Sequence, residues 1–217
     1  MRFITPIYSE VVSGTAFLIN CGKTTTREEI VGNGFFVEGN YFFTASHVIE
    51  DTIATPGKGI PYIRINNQKI ELTPEKAIVY EKMPYNEVGA PINHQELSNG
   101  DISVFEIEGF DSSFILSDKL PEHGKVLKNA FYSKRTGKEE LIETAAIIHD
   151  ADDFVGNFFA ATMIPSHPTN GGSSGSPLYI GNKIYGILHA GGADKLPDIC
   201  VFFSSIHALK LLKHNIH

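Results

Sequence analysis

About twelve short apolar runs, each closed off by Gly, Asn, Asp or Pro, recur along the 217-residue chain. They read TAFLIN, GFFVEGN, YFFTASHVI, YIRI, AIVY and ISVFEI in the first half, then VLKNAFY, LIETAAII, FFAATMI, PLYI, KIYGILHA and ICVFFSS in the second. Runs of this length suit strands, and regular turn residues between them predict an all-β sandwich or barrel. Gly181-Asn182-Lys183 reads as a tight hairpin between PLYI and KIYGIL. Helix signals are few. His47–Glu50 is long enough for a single turn. SSIHALKLLKHNI has a capping Ser204 or Ser205, Ile206, Leu209 and Leu212 at helical spacing, and basic residues in its last turns. A polar, turn-rich stretch over 109–124 divides the chain. Six strands before it and six after predict two antiparallel six-stranded β-barrels, over 1–115 and 116–203, with a short C-terminal helix over 204–217.

Charge narrows the classes of partner. Lys and Arg number 18 against 25 Asp and Glu, a net charge of −7, and no basic block interrupts that balance. A nucleic-acid partner is therefore not expected, since phosphate binding needs the opposite charge. A hydrophobic content of 42% with 20% charged residues fits a folded chain and not a disordered one. Cys21 and Cys200 lie far apart without a Cys-x-x-Cys, so neither a disulfide framework nor a zinc site is expected, and free thiols suit a reducing compartment. Thr5, Pro6, Ser9 and Glu10 interrupt the N-terminus where a signal peptide needs an unbroken apolar run. No run of about 18 apolar residues exists to span a membrane. The expectation is a cytoplasmic protein with no membrane partner.

The residues that carry chemistry begin with Gly171-Gly172-Ser173-Ser174-Gly175-Ser176-Pro177. A serine hydroxyl becomes a nucleophile only beside a base, with backbone N–H groups aimed at the oxyanion that forms on attack. Gly172, two residues before Ser174, permits the turn that converges such amides. By itself a Gly/Ser-rich loop is more often a plain hairpin connection. His47, in Thr44-Ala45-Ser46-His47-Val48, stands at the end of an apolar run, where a base can face a cleft. Asp101, in Asn99-Gly100-Asp101-Ile102, opens another run and can fix the tautomer of an imidazole. His, Asp and Ser in that order, each in a fitting local setting, make coincidence a poor account.

The combination resembles the trypsin/chymotrypsin-like serine peptidases. GNGFFVEGNYFFTASHVI is similar to their segment around the histidine, NGDISVFEI to that around the aspartate, and GGSSGSP to their G-x-S-G-S-P. The resemblance extends over about residues 30 to 213. It implies His47 as general base, Asp101 as its orienter, Ser174 as nucleophile, and the amides of Gly172 and Ser174 as an oxyanion hole. The implied activity is hydrolysis of protein or peptide substrates through an acyl-enzyme, with no metal and no organic cofactor. Ser173 stands where animal members carry an Asp that pairs with a freed N-terminal amine, so zymogen activation of that kind is not expected. The chain is nearer the bacterial glutamyl-endopeptidase-like or stress-protease-like branches, or RNA-virus chymotrypsin-like proteases.

Substrate binding is implied for Thr169, Gly191 and one residue of Leu188-His189. Aligned on His-x-Gly-Gly, His189 joins Thr169 in a pocket for a Glu or Gln side chain, the register we favour. Shifted by one residue, Leu188 takes the pocket and His189 moves beside Asp101, because strand side chains alternate faces. His167 reads as a loop residue, while His207, His214 and His217 face solvent or packing. Asp150–Asp153 lacks the spacing of a calcium loop. A protease without zymogen chemistry calls for strong selectivity or a regulatory protein partner. Two other readings stay open: a catalytically silent protease-fold binding module, and a viral polyprotein-processing protease.

Overall fold

The computed structural model describes residues 3–13, 25–82, 100–110, 112–134, 138–149, 157–164, 172–193 and 196–216. The first sheet is built from β1 (Ile4–Ser13), β2 (Thr25–Val37), β3 (Tyr41–Thr44), β4 (Tyr62–Ile65), β5 (Gln68–Glu71), β6 (Val79–Glu81) and β7 (Ile102–Glu106). Its order is β5-β4-β1-β2-β3-β7-β6. The second holds β8 (Ile115–Leu116), β9 (Val126–Ser133), β10 (Glu140–Ile148), β11 (Phe158–Ile164), β12 (Pro177–Ile180), β13 (Lys183–Ala193) and β14 (Leu196–Ser204). There β12 pairs with both β9 and β13, so six strands close into a barrel, and β8 adds a parallel edge to β13. The all-β expectation holds. The expected pair of six-stranded barrels becomes one closed barrel and one seven-stranded half-barrel, whose end strands β5 and β6 do not pair among the described residues.

Turn chemistry accounts for the hairpins. Asn66 and Asn67, at φ of 49° and 65°, join β4 to β5 in a two-residue turn whose twist suits the strands. Gly181 and Asn182 join β12 to β13 as the sequence predicts. Helix α1 (Ser46–Ala54) is longer than the single turn expected. Its N-cap, Ala45, offers no side-chain hydrogen bond. The missing acceptor comes from Asp101, whose Oδ1 takes the His47 N–H at 2.9 Å. Helix α2 (Ser205–Ile216) lies where the C-terminal helix is expected, with Ser204 Oγ accepting the Ile206 N–H at 3.3 Å.

Three apolar clusters follow from one strand habit. Phe35 and Phe43 face the layer between the two sheets, whereas Phe36 and Phe42 face the interior of the first. Phe158 and Phe203 enter the same middle layer, while Phe159 and Phe202 fill the second barrel. Each Phe-Phe doublet is thus split by the two-residue period of a strand buried on both faces. Ala208 and Leu212 of α2 also pack into the middle layer. That layer joins the two sheets.

Candidate active site

His47 stands in the first turn of α1, immediately after β3. Three polar contacts fix this corner. Thr44 Oγ1 donates to the Asn33 carbonyl at 2.8 Å, Ser46 Oγ meets Ser103 Oγ at 2.8 Å, and the Asp101 carboxylate caps the helix. Gly100, at φ 93°, turns the chain into Asp101. His47 Nδ1 then lies 2.6 Å from Asp101 Oδ2.

Asp101 is 1% exposed, and its Oδ2 also accepts a hydrogen bond from His189 Nδ1. The two imidazoles stand edge to face with ring centroids 5.4 Å apart, and Phe158 packs on His189 at 5.1 Å. Burial pushes the Asp101 carboxyl up, but His47 and the hydrogen bonds from His189 and His47 outweigh it and hold it well below the usual carboxylate range. For His47, burial pushes down, yet the attraction of Asp101, with smaller pulls from Asp51 and Glu50, leaves it above its ordinary value. His47, Asp101 and His189 also form the group able to hold a metal among the described residues, their ligand atoms lying within 4.8 Å of one another. Those atoms already satisfy one another by hydrogen bonds.

His189 lies beside Asp101, as in the shifted register and not in the register favoured above. Leu188 pairs with Phe202 and Ala190 with Val201, so His189 is the extra residue of a β-bulge. A bulge re-aims a side chain and shifts the register beyond it by one residue. His189 is thereby aimed at Asp101. Leu188 does not take the pocket, for it is 2% exposed and packs inside the second barrel with Leu127, Phe159 and Phe202. Gly191 remains on β13, half-buried and opposite Cys200. Thr169, His167, Gly171, Cys21, His217 and Asp150–Asp153 lie outside the described residues. His207 is not merely a packing residue: its Nε2 lies 3.5 Å from Glu81 Oε2, tying α2 to the first sheet.

Ser174 sits on the loop entering β12, and this loop is clamped to the first sheet. The Asn33 N–H donates to the Ser174 carbonyl at 2.8 Å, and Asn33 Nδ2 donates to the Gly172 carbonyl at 2.5 Å. The same side chain exchanges hydrogen bonds with the Tyr132 backbone at 3.1 and 2.7 Å. Gly172 and Gly175 adopt φ of 114° and 81°. A Cβ on Gly175 would stand 2.1 Å from the Asn33 carbonyl oxygen and 3.1 Å from the Ala45 nitrogen, so the loop runs tight against the residues preceding His47. No hydrogen bond links Ser174 Oγ to either imidazole among the described residues. Asn33 escapes a reading of chemistry by residue type. Its signal is an amide between two glycines in an apolar strand, where a buried polar group needs designated partners.

The sequence matches no protein-family model and no curated protein. Solved structures match over nearly the whole chain. Neuropsin, a serine protease of mouse brain, is 14% identical with a TM-score of 0.62, covering 99% of this chain and 94% of that one. This is a chymotrypsin-like fold. The Rv3671c protease of M. tuberculosis in its active form is 13% identical with a TM-score of 0.55, over 96% of this chain and 79% of the other. A scabies mite inactivated protease paralogue is 13% identical with a TM-score of 0.60, over 99% and 93%. The structural neighbours are thus trypsin-like serine proteases, together with a relative that has lost activity. No helix among the described residues is long and apolar enough to cross a membrane.

Proposed function

We propose that the chain is a serine endopeptidase in which Ser174 attacks the substrate carbonyl and His47 accepts its proton. Asp101 orients His47 and stabilises the imidazolium that forms. The observation that carries this reading is the 2.6 Å contact between His47 Nδ1 and the buried Asp101 Oδ2, which leaves Nε2 free to serve as the base. The amides of Gly172 and Ser174 receive the oxyanion. The clamp of Asn33 on both carbonyls supports that role, because donors fixed beforehand cost no reorganisation during reaction. The imidazolium then protonates the leaving amine, and a water activated by His47 releases the acyl group from Ser174.

The substrate is a protein or peptide, cleaved in the cytoplasm under the restraint of a regulatory partner. Thr169 and Gly191 remain the proposed substrate-binding residues, without His189 or Leu188 as the side chain facing the pocket. Peptide-library profiling of the wild type against Ser174→Ala tests the assignment. Cleavage lost in the variant, with an unchanged melting temperature, supports it; cleavage retained removes Ser174 from the mechanism. The other reading is a binding module, favoured by the inactivated paralogue of the same fold and by the unlinked Ser174 Oγ. It predicts that library peptides are bound but never cut.

A further inference from the structure

Two imidazoles share one buried carboxylate oxygen, and the proton transfers proposed above need only one of them. Asp101 Oδ2 accepts from both His47 Nδ1 and His189 Nδ1, while Oδ1 accepts the His47 N–H. A carboxylate oxygen has two acceptor positions, so the two ring N–H groups fill Oδ2. We propose that His189 is a positioning residue of the active site, which holds Asp101 in place and, by sharing its charge, lowers the basicity of His47. The inference rests on the proposed reading of His47, Asp101 and Ser174.

First, each donor to a buried carboxylate helps to hold its rotamer, because no water stands by to replace a lost one. The His189 bulge brings a donor from the second barrel to a carboxylate carried by the first, so the two halves of the site are joined at Asp101. Second, a hydrogen bond from His189 draws on the same electrons that stabilise protonated His47. With His189 removed, the whole carboxylate charge acts on His47, which becomes more basic. Among the described residues, the charged and titratable groups acting on the pair are Glu50 and Asp51 on α1 and Tyr80 on β6. From β11 the neighbour of His189 is Phe158, which does not titrate. The His47–His189 coupling therefore passes through Asp101.

Asn is the informative replacement, since its Nδ2 occupies the place of histidine Nδ1 while the ring packing on Phe158 is lost. His189→Ala should lower kcat by about 10- to 100-fold on every substrate, the size expected for losing a hydrogen bond to a charged group. Its acid limb should move to higher pH by about half a unit or more. His189→Asn should recover most of the rate and bring the limb back toward the wild type. If Asn is as poor as Ala and neither moves the limb, His189 only packs against Phe158 and the inference fails. A loss confined to Glu or Gln substrates would make it a pocket residue instead, and would also overturn it.

A second measurement does not depend on catalysis. NMR of the full chain should show two downfield imidazole Nδ1–H resonances, one of them absent from His189→Ala, and a His47 titration displaced upward in that variant. One resonance in the wild type, or an unmoved His47 titration, overturns the inference. Should either variant fail to fold, the wild-type resonance count still decides. Absent peptidase activity with both resonances present would instead sink the proposed function while leaving the shared carboxylate intact.

Discussion

The charges of Asp101 and His47 set opposite pH limits on the same contact. Asp101 is held below its ordinary 3.8, so its contribution to stability is present above that value and is lost as pH falls through the folded-state value. His47 is held above its ordinary 6.5, so its contribution is complete below 6.5 and is lost as pH rises through the raised value. A general base must be neutral, so kcat/KM should rise with pH along a single limb centred above 6.5. Assays of a fluorogenic peptide across pH check this; a limb centred below that value contradicts the His47–Asp101 attraction. Asn33 should matter without touching substrate. Asn33→Ala removes the hydrogen bonds to the Gly172 carbonyl and to the Tyr132 N–H and carbonyl, each loss costing about 1 kcal/mol. Thermal melting should show the loss, and kcat should fall more than KM rises.

Glycines of similar φ separate loops that are pressed against a neighbour from loops that are free. Gly175 has φ 81° and backbone oxygen 2.1 Å from a built Cβ, whereas Gly181 has φ 58° and open space. Gly181→Ala should cost only about 1 kcal/mol, the ordinary cost of the left-handed region. Gly175→Ala should do more harm, pushing the Ser174 loop off Asn33 and Ala45 and abolishing turnover; melting curves with activity assays compare the two. The hairpin at Gly181 was legible because its cause is local. So was the strand pattern, including the apolar runs later seen to be buried on both faces. Helix α1 exceeds the single turn expected because its cap, Asp101, comes from a segment distant in sequence. The sequence leaves two directions open for His189, and the choice between them is not local either. A bulge exists only relative to the partner strand, and one extra residue exchanges the two faces that an alignment assigns. The triad candidates were legible by residue type and order, whereas Asn33 was not, because its work lies in the backbone groups it satisfies.

Both halves of the molecule depend on the middle layer of Phe35, Phe43, Phe158 and Phe203. Phe203→Ala should cost about 3–5 kcal/mol and lower the denaturation midpoint, as other large core truncations do. If the layer positions the cleft, activity under native conditions should fall in the same variant even where the fold persists. Bridges across the halves add to it: Tyr8 donates to Glu139 at 2.6 Å, and His207 faces Glu81. Ser173 is buried and uncharged, so it offers no charge to pair with an N-terminal amine. A short N-terminal extension should leave activity within a few-fold of the untagged chain, and a strict need for a cleaved terminus would contradict this. The central claim is that Ser174 is an activated nucleophile served by His47 and Asp101. Labelling the whole chain with a fluorophosphonate, then mapping the adduct by mass spectrometry, tests it most directly. The account predicts one adduct, on Ser174, lost in Ser174→Ala and strongly slowed in His47→Ala. No adduct on the folded wild type, or one on Ser173 or Ser176, would contradict it.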